Sequence, residues 1–226
     1  VEDGSDQGKS TVGGHRVSSL CYLPSEGGHV ASADIRSSPI CPPRQECPIE
    51  DPLAFLDRLG GIPGRRLVSM SCSGGEASVV ADRAESMELD FPAFDEGHGA
   101  RIAGTLSELV SVSNPLDYHT FIWGDPGRLS ATFTAVMDGP LDAAMLVLDF
   151  PSAGLDGSGW WPTLGAFAEA SRATGVPGVV VASMAENLPP EVEAATDEAG
   201  MVAIRGIGEA LRALEASAWW GSRRTR

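Results

Sequence analysis

Leu67-Val68-Ser69-Met70-Ser71-Cys72-Ser73-Gly74-Gly75-Glu76-Ala77-Ser78-Val79-Val80-Ala81-Asp82 passes from an apolar run, through a glycine pair, into a stretch free of helix breakers. Leu67, Val68 and Met70 fit a buried strand, and the residues from Ala77 onward fit a helix. Gly74 and Gly75 allow positive φ and close approach of backbone between the two. A strand that turns sharply into a helix leaves the first N–H groups of that helix unpaired and pointing outward. Added to the helix dipole, they make a site suited to an anion such as phosphate.

The chain on either side repeats the alternation. Upstream, Asp51-Pro52 reads as a helix start, with Leu53, Phe55, Leu56 and Leu59 as its stripe and Gly60-Gly61 as its stop. The first strand is expected over Arg65 to Ser71 and the first long helix over Gly75 to Met87. A short strand is expected over Leu89 to Phe94, and a helix over Glu96 to Leu109 with Ile102, Leu106 and Leu109 on one face. Asn114-Pro115-Leu116-Asp117 reads as a turn, because proline pushes Asn114 out of helical geometry. Asp125-Pro126 opens a helix to Met137.

Ala143 to Phe150 is a continuous apolar run, the pattern of a central parallel strand covered on both faces. Helices follow over Gly159 to Thr174, from Pro189-Pro190 to Ala199 and over Gly208 to Trp220, separated by strands over Gly178 to Met184 and Met201 to Ile204. Trp160-Trp161 and Trp219-Trp220 each read as one core residue beside one exposed residue that marks a docking surface. The tail Ser222-Arg223-Arg224-Thr225-Arg226 is expected to fray. Strand–helix alternation of this kind gives an α/β fold, a doubly wound parallel sheet. Ligands in such sheets sit outside the carboxyl ends of the strands. That points to Ser71 to Glu76, Asp149 to Ser152 and Ser183 to Asn187.

Composition limits the partners. The 226 residues carry 16 Lys+Arg against 31 Asp+Glu, a net charge of −15. Such a surface argues against nucleic acid and anionic membranes, and a phosphate site on it must be local. No apolar run is long enough to span a bilayer. The N-terminus lacks the basic start and apolar core of a signal peptide, so the cytoplasm is the expected location. Cys21, Cys41, Cys47 and Cys72 match neither a zinc pair nor a disulfide framework, and no metal site is expected.

Residues 1–50 have a different texture, with frequent Gly, Ser and Pro and no apolar period. They read as an irregular or disordered extension, residues 51–220 as the folded module and residues 221–226 as a basic tail. Either a native extension or translation of an upstream stretch out of frame explains the change at Asp51. Gly8-Lys9-Ser10-Thr11 is not a phosphate-binding P-loop, because its spacing is wrong and no strand precedes it.

The serine–glycine turn has three readings. As a nucleophile elbow it requires a histidine after the acid, with Asp149 as that acid; the last histidine is His119, upstream of it. As a dinucleotide site it lacks Gly-x-Gly-x-x-Gly, although Glu88 or Asp90 would supply the ribose acid. As a phosphate-handling helix terminus it relies on the outward-pointing N–H groups of the helix start. His98 and His119 read as surface or packing residues. Asn114 and Asp117 read as turn formers, and Asp149 as a cap or a ligand contact.

From about Asp51 to Trp220 the chain resembles the NDP-forming acyl-CoA synthetases, relatives of succinyl-CoA synthetase. The resemblance is carried by Ser71-Cys72-Ser73-Gly74-Gly75-Glu76 with Ala81-Asp82 one turn on, by Asn114-Pro115-Leu116-Asp117, and by the strand Asp142 to Pro151. The family more often has Asn-x-Gly-Gly at the turn; this chain is similar to a branch with Ser-Gly-Gly-Glu. The resemblance implies a flavodoxin-like module whose glycine-turn helix points at a phosphohistidine, which carries phosphate between acyl phosphate and nucleotide.

Under it Ser73, Gly74, Gly75 and Glu76 would hold the phosphate, with Ser71, Asn114, Asp117 and Asp149 as secondary candidates. Glu76 departs from that logic, because an acid repels phosphate; a partner cation or the histidine itself would explain it. The complete enzyme would use ATP or GTP, Mg and CoA, none of them bound by this module alone. It would need ATP-grasp and CoA-binding modules as partners, and a homo-oligomer is compatible with it. The family's histidine lies upstream in a Ser-His-Thr-Gly-like motif, which neither Gly14-His15-Arg16 nor Gly28-His29-Val30 matches, so the isolated chain should be inactive. The competing expectation is a non-catalytic protein that binds a small anion or mononucleotide at the same turn.

Overall fold

The computed structural model describes Arg58, residues 60–152 and residues 154–224. The extension over residues 1–50, the Leu53–Leu59 stripe and three of the four cysteines therefore fall outside the described residues. The elements are β1 (Leu67–Ser71), α1 (Gly74–Ala84), α2 (Glu96–Ala103), β2 (Leu116–Asp117), α3 (Pro126–Met137), β3 (Ala143–Val147), α4 (Trp161–Thr174), β4 (Gly178–Ala182), α5 (Pro190–Glu198), β5 (Val202–Arg205) and α6 (Ile207–Arg224). Single 3-10 turns lie at Thr120–Ile122 and Ala185–Asn187.

The five strands form one sheet in the order β2-β1-β3-β4-β5, and every pairing is parallel. That is the flavodoxin-like order of a doubly wound α/β fold. Alternation along the strands feeds two cores. Val68, Met70, Ala144, Leu146 and Val180 face α3, α4 and α5 and join Phe133, Phe167 and Val192. Leu67, Ala143, Met145, Val147, Val179 and Val181 face α1 and α6 and join Val80, Leu211 and Leu214. Burial on both faces is why β1, β3 and β4 read as unbroken apolar or small-residue runs.

Local sequence sets the ends. Asp125 caps α3 by accepting from the Arg128 N–H at 3.0 Å, with Pro126 at the first helical position. Asp95 caps α2 through the His98 N–H at 2.8 Å. Gly175 ends α4 at φ 73°.

The outer edge of β1 differs from the expectation. Residues 89–94 form no strand: only Asp90 pairs there, accepting from the Leu67 N–H at 2.7 Å and donating to the Arg65 carbonyl at 2.8 Å. The edge strand is β2, inside the segment expected as a turn, with Met70 opposite Leu116 and Ser71 opposite Asp117. Between these two pairings the Asn114 amide takes the place of a strand backbone. Its Nδ2 donates to the carbonyls of Leu67 (2.8 Å) and Pro92 (3.1 Å), and its Oδ1 accepts from the Ser69 N–H (3.3 Å).

Three smaller expectations also shift. The Glu96–Leu109 helix stops at Ala103 with Gly104 as its cap. The last helix continues through Arg224, and the Arg223 guanidinium lies 4.0 Å over the Trp219 ring instead of fraying. Neither Trp219 nor Trp220 is fully buried. No helix among the described residues is long and apolar enough to cross a membrane.

Candidate functional site

In a 2-1-3-4-5 sheet the chain leaves β1 and β3 in opposite directions, which opens a crevice at their carboxyl ends. The segment after β1 enters that crevice. Ser71 is buried, and its hydroxyl donates to the Ser73 carbonyl at 3.0 Å, which fixes the bend. Ser73 is the N-cap of α1 with φ −138° and ψ 124°, yet its side chain makes no capping bond. Its carbonyl accepts from the Ala77 N–H at 3.1 Å. Gly74 and Gly75 are exposed first-turn residues of α1.

Neither glycine takes the positive φ expected from the sequence. The reason for glycine at 74 is close approach: a Cβ there would stand 3.2 Å from the Asp117 Oδ2. A Cβ at Gly75 would meet only the Ser73 hydroxyl, at 3.5 Å.

Three carboxylates face this helix start. Asp117, at the end of β2, accepts from the His119 N–H at 2.9 Å and lies 3.4 Å from His119 Nε2. Asp149, just after β3, accepts from the Ser183 N–H (2.7 Å) and hydroxyl (2.5 Å). Glu76 feels the charge of both, is partly buried, and its Oε2 has no hydrogen-bond partner. Burial first, then Asp149 and Asp117, push its carboxyl up from 4.5 to about 7. At neutral pH it is therefore divided between a donor form and an acceptor form.

The neighbouring groups stay neutral. Burial, reinforced by Glu76, raises the Cys72 thiol to about 11, so it is no nucleophile. Tyr118 is fully buried, packs edge-to-face on Phe133 at 5.2 Å, and its hydroxyl has no hydrogen-bond partner of good geometry. Burial and the adjacent Cys72 hold its proton well above the usual range.

Two cavities open beside α1. One, of about 550 Å³, is walled by Cys72, Glu76, Trp123, Leu148, Asp149 and Trp160, among others. The second, of about 410 Å³, lies between the starts of α1 and α6, with Ser73, Gly75, Arg83, Ser183 and Gly208 on its walls. Glu76 belongs to both.

Of the eight site residues drawn from the sequence, seven gather at this edge: Ser71, Ser73, Gly74, Gly75, Glu76, Asp117 and Asp149. Asn114 does not, because its amide is spent on the β1 backbone. Trp123, Trp160 and Arg83 were not drawn from the sequence as site residues. They approach the edge only through the fold; of the three, only Trp160 stood out in the sequence, as half of the Trp160-Trp161 pair. His119 carried no such signal, because the strand that ends at Asp117 was read from the sequence as a turn. Its backbone is at φ 57° and ψ 172°, its ring is stacked on Phe121 at 5.5 Å, and Asp117 holds it. His98 is a packing residue, buried with Nε2 2.8 Å from the Ala135 carbonyl. Among the described residues no group of three His, Cys, Asp or Glu side chains is arranged to hold a metal ion.

No protein-family profile matches the sequence, and none of the curated proteins compared is significantly similar to it. Solved structures do match. PH0766 from Pyrococcus horikoshii OT3 aligns with a TM-score of 0.60 at 18% identity, over 76% of this chain and 40% of that one. The apo form of dinucleotide forming acetyl-coenzyme A synthetase 1 from Ca. Korarchaeum cryptofilum aligns at 0.61 and 16% identity, over 77% and 37%. The same enzyme in complex with phosphate and ADP aligns at 0.60 and 16%, over 76% and 36%. At these identities the likeness shows the fold alone. The chain spans well under half the length of each of these proteins.

Proposed function

We propose that this chain is a module of an acid–CoA ligase of the NDP-forming acyl-CoA synthetase kind. The start of α1 would stabilise a phosphohistidine while phosphate passes between acyl phosphate and nucleotide. The observation that carries the reading is the construction of that helix start. It is exposed at the carboxyl edge of the sheet, its cap residue leaves the first-turn N–H groups uncapped, and its first two residues have no side chains. Such an end binds phosphate without a permanent cation. The likeness to an acetyl-coenzyme A synthetase, one of whose structures carries phosphate and ADP, supports the same reading.

Glu76 then has a role that pure phosphate binding would deny it. A carboxyl raised to about 7, on the walls of both cavities, accepts from an imidazole N–H and orients the ring while the phosphoryl group lies toward Gly74 and Gly75. The phosphohistidine, the CoA site and the ATP-grasp site with its Mg would come from other modules. ATP or GTP and CoA act only in the assembled enzyme.

The test is a ligase assembled from this chain and its partner modules, supplied with acid, ATP and CoA. Gly75→Val should fold normally and lose phosphoryl transfer by ~10²-fold or more, as expected for removal of a preorganised anion site. A normal rate overturns the assignment. The chain by itself should form no acyl-CoA, and product from the purified chain equally overturns it.

A further inference from the structure

The cavity of about 550 Å³ is not used by a phosphate held at the start of α1. Its size suits a small ligand or one inserted side chain. Its walls combine two features. Trp123 and Trp160 line it as an edge-to-face pair, ring centroids 5.4 Å apart, beside the apolar Val147 and Leu148. Glu76 and Asp149 line it as well, and no Lys, Arg or His is present among its described walls.

An anion is excluded from such a space: two carboxylates face it, a third (Asp117) is within electrostatic reach of Glu76, and nothing on the walls compensates. A neutral apolar guest would use the indoles but leave the carboxylates facing hydrocarbon, which is costly. A cation satisfies both features. Indole faces attract ammonium and guanidinium groups, and desolvation by the apolar walls strengthens that attraction. The carboxylates of Glu76 and Asp149 on its walls supply acceptors.

We propose that this cavity is a socket for an organic cation, an alkylammonium or guanidinium group, held between the Trp123–Trp160 pair and the carboxylates of Glu76 and Asp149. Two sources share that chemistry: a free amine, and the Lys or Arg side chain of a partner module. The proposal goes beyond the phosphate reading and does not depend on it: Glu76 is shared with that reading, but the socket uses none of the N–H groups of α1. A cation seated there would also offset the acidity around the helix start.

The experiment follows tryptophan fluorescence and titration heat of the full chain at fixed ionic strength. The probes are butylammonium, butylguanidinium, N-acetyl-lysine amide and N-acetyl-arginine amide, with butanol and butyrate as neutral and anionic controls. The cations should saturate about tenfold or more tighter than butanol, in line with a desolvated cation–π contact, and butyrate should not bind. Glu76→Gln should weaken the cations about tenfold and leave butanol unchanged. Trp160→Leu should weaken cation binding, and Trp160→Phe, which keeps an aromatic face and the packing, should restore most of it. Tighter binding of the amino-acid amides identifies a partner side chain as the source; tighter binding of the simple cations identifies a free amine. Butanol binding as tightly as butylammonium, or Glu76→Gln leaving cation affinity unaltered, overturns the proposal. Loss of phosphate transfer in Gly75→Val with cation binding intact, or the reverse, separates the fate of this socket from that of the phosphate site.

Discussion

Gly74 lies directly against Asp117: a Cβ on the glycine would stand 3.2 Å from the carboxylate Oδ2. The first residue of α1 is thereby keyed to the last residue of β2, and the two segments that carry the resemblance to acyl-CoA synthetases meet at this contact. Alanine is a better helix former than glycine, so Gly75→Ala, with nothing nearer than 3.5 Å, should stabilise the chain by about 0.4–1 kcal/mol. Gly74→Ala should gain less or nothing, because Asp117 is fixed by the His119 N–H and cannot retreat freely. Chemical denaturation of the two variants side by side checks this. Equal gains would mean that the Asp117 contact does not constrain the helix start.

Glu76 predicts a pH signature. Its carboxyl is raised from 4.5 to about 7 in the folded chain, chiefly by burial and then by Asp149 and Asp117. Below pH 4.5 the group is protonated in both states and contributes nothing. Between pH 4.5 and 7 the unfolded chain ionises first, so folding stability falls as pH rises, and above 7 the penalty is complete. Discounted for partial exposure, the loss is on the order of 1–2 kcal/mol. Glu76→Gln should flatten this part of the stability–pH curve and be more stable than the parent at pH 8. A parent curve no steeper than that of the glutamine variant would show that Glu76 is not perturbed.

His119 is held at φ 57° and ψ 172°, a region that is essentially glycine's own and costs other residues about 1–3 kcal/mol. The Asp117 contacts and the Phe121 stack keep it there. His119→Ala loses the ring contacts to Asp117 and Phe121 and keeps the backbone N–H bond and the strain; His119→Gly loses the same ring contacts, keeps that bond and releases the strain. The glycine variant should therefore exceed the alanine variant in stability by at least about 1 kcal/mol. Thermal melts of the pair decide it, and an alanine variant at least as stable as the glycine variant would show that the backbone there is relaxed.

The parallel sheet was legible in the sequence because burial on both faces leaves strands such as Ala143–Val147 and Gly178–Ala182 without polar interruptions. The helix starts were legible because Asp95, Asp125 and Pro126 announce them chemically. What failed was the edge of the sheet. Residues 89–94 have strand-like composition, but strand pairing is decided by what reaches the neighbouring backbone, and Asn114 reaches it first. The site was legible where it is local, from Ser71 to Glu76. It was illegible where residues meet through the fold: the Trp123–Trp160 pair, and the burial of Glu76 within reach of the charges of Asp149 and Asp117, which raises a helix-start acid to about 7.

Asn114 separates a structural from a ligand-binding role. Its amide serves three backbone groups: the Leu67 carbonyl and Ser69 N–H of β1 and the Pro92 carbonyl of the neighbouring segment. Removing a partner from buried backbone groups costs about 1–3 kcal/mol for each group left unpaired. Water reaches some of them at the sheet edge, so Asn114→Ala should lose about 2–4 kcal/mol in denaturant titrations. Asn114→Asp removes both N–H donors and places a carboxylate against two carbonyls, so it should cost at least as much. Asn114→Ala that remains folded should still take up inorganic phosphate with unchanged affinity in a phosphorus NMR titration, because the side chain points into the sheet edge and away from the start of α1. Full stability with lost phosphate uptake would reverse the conclusion and place Asn114 in the site.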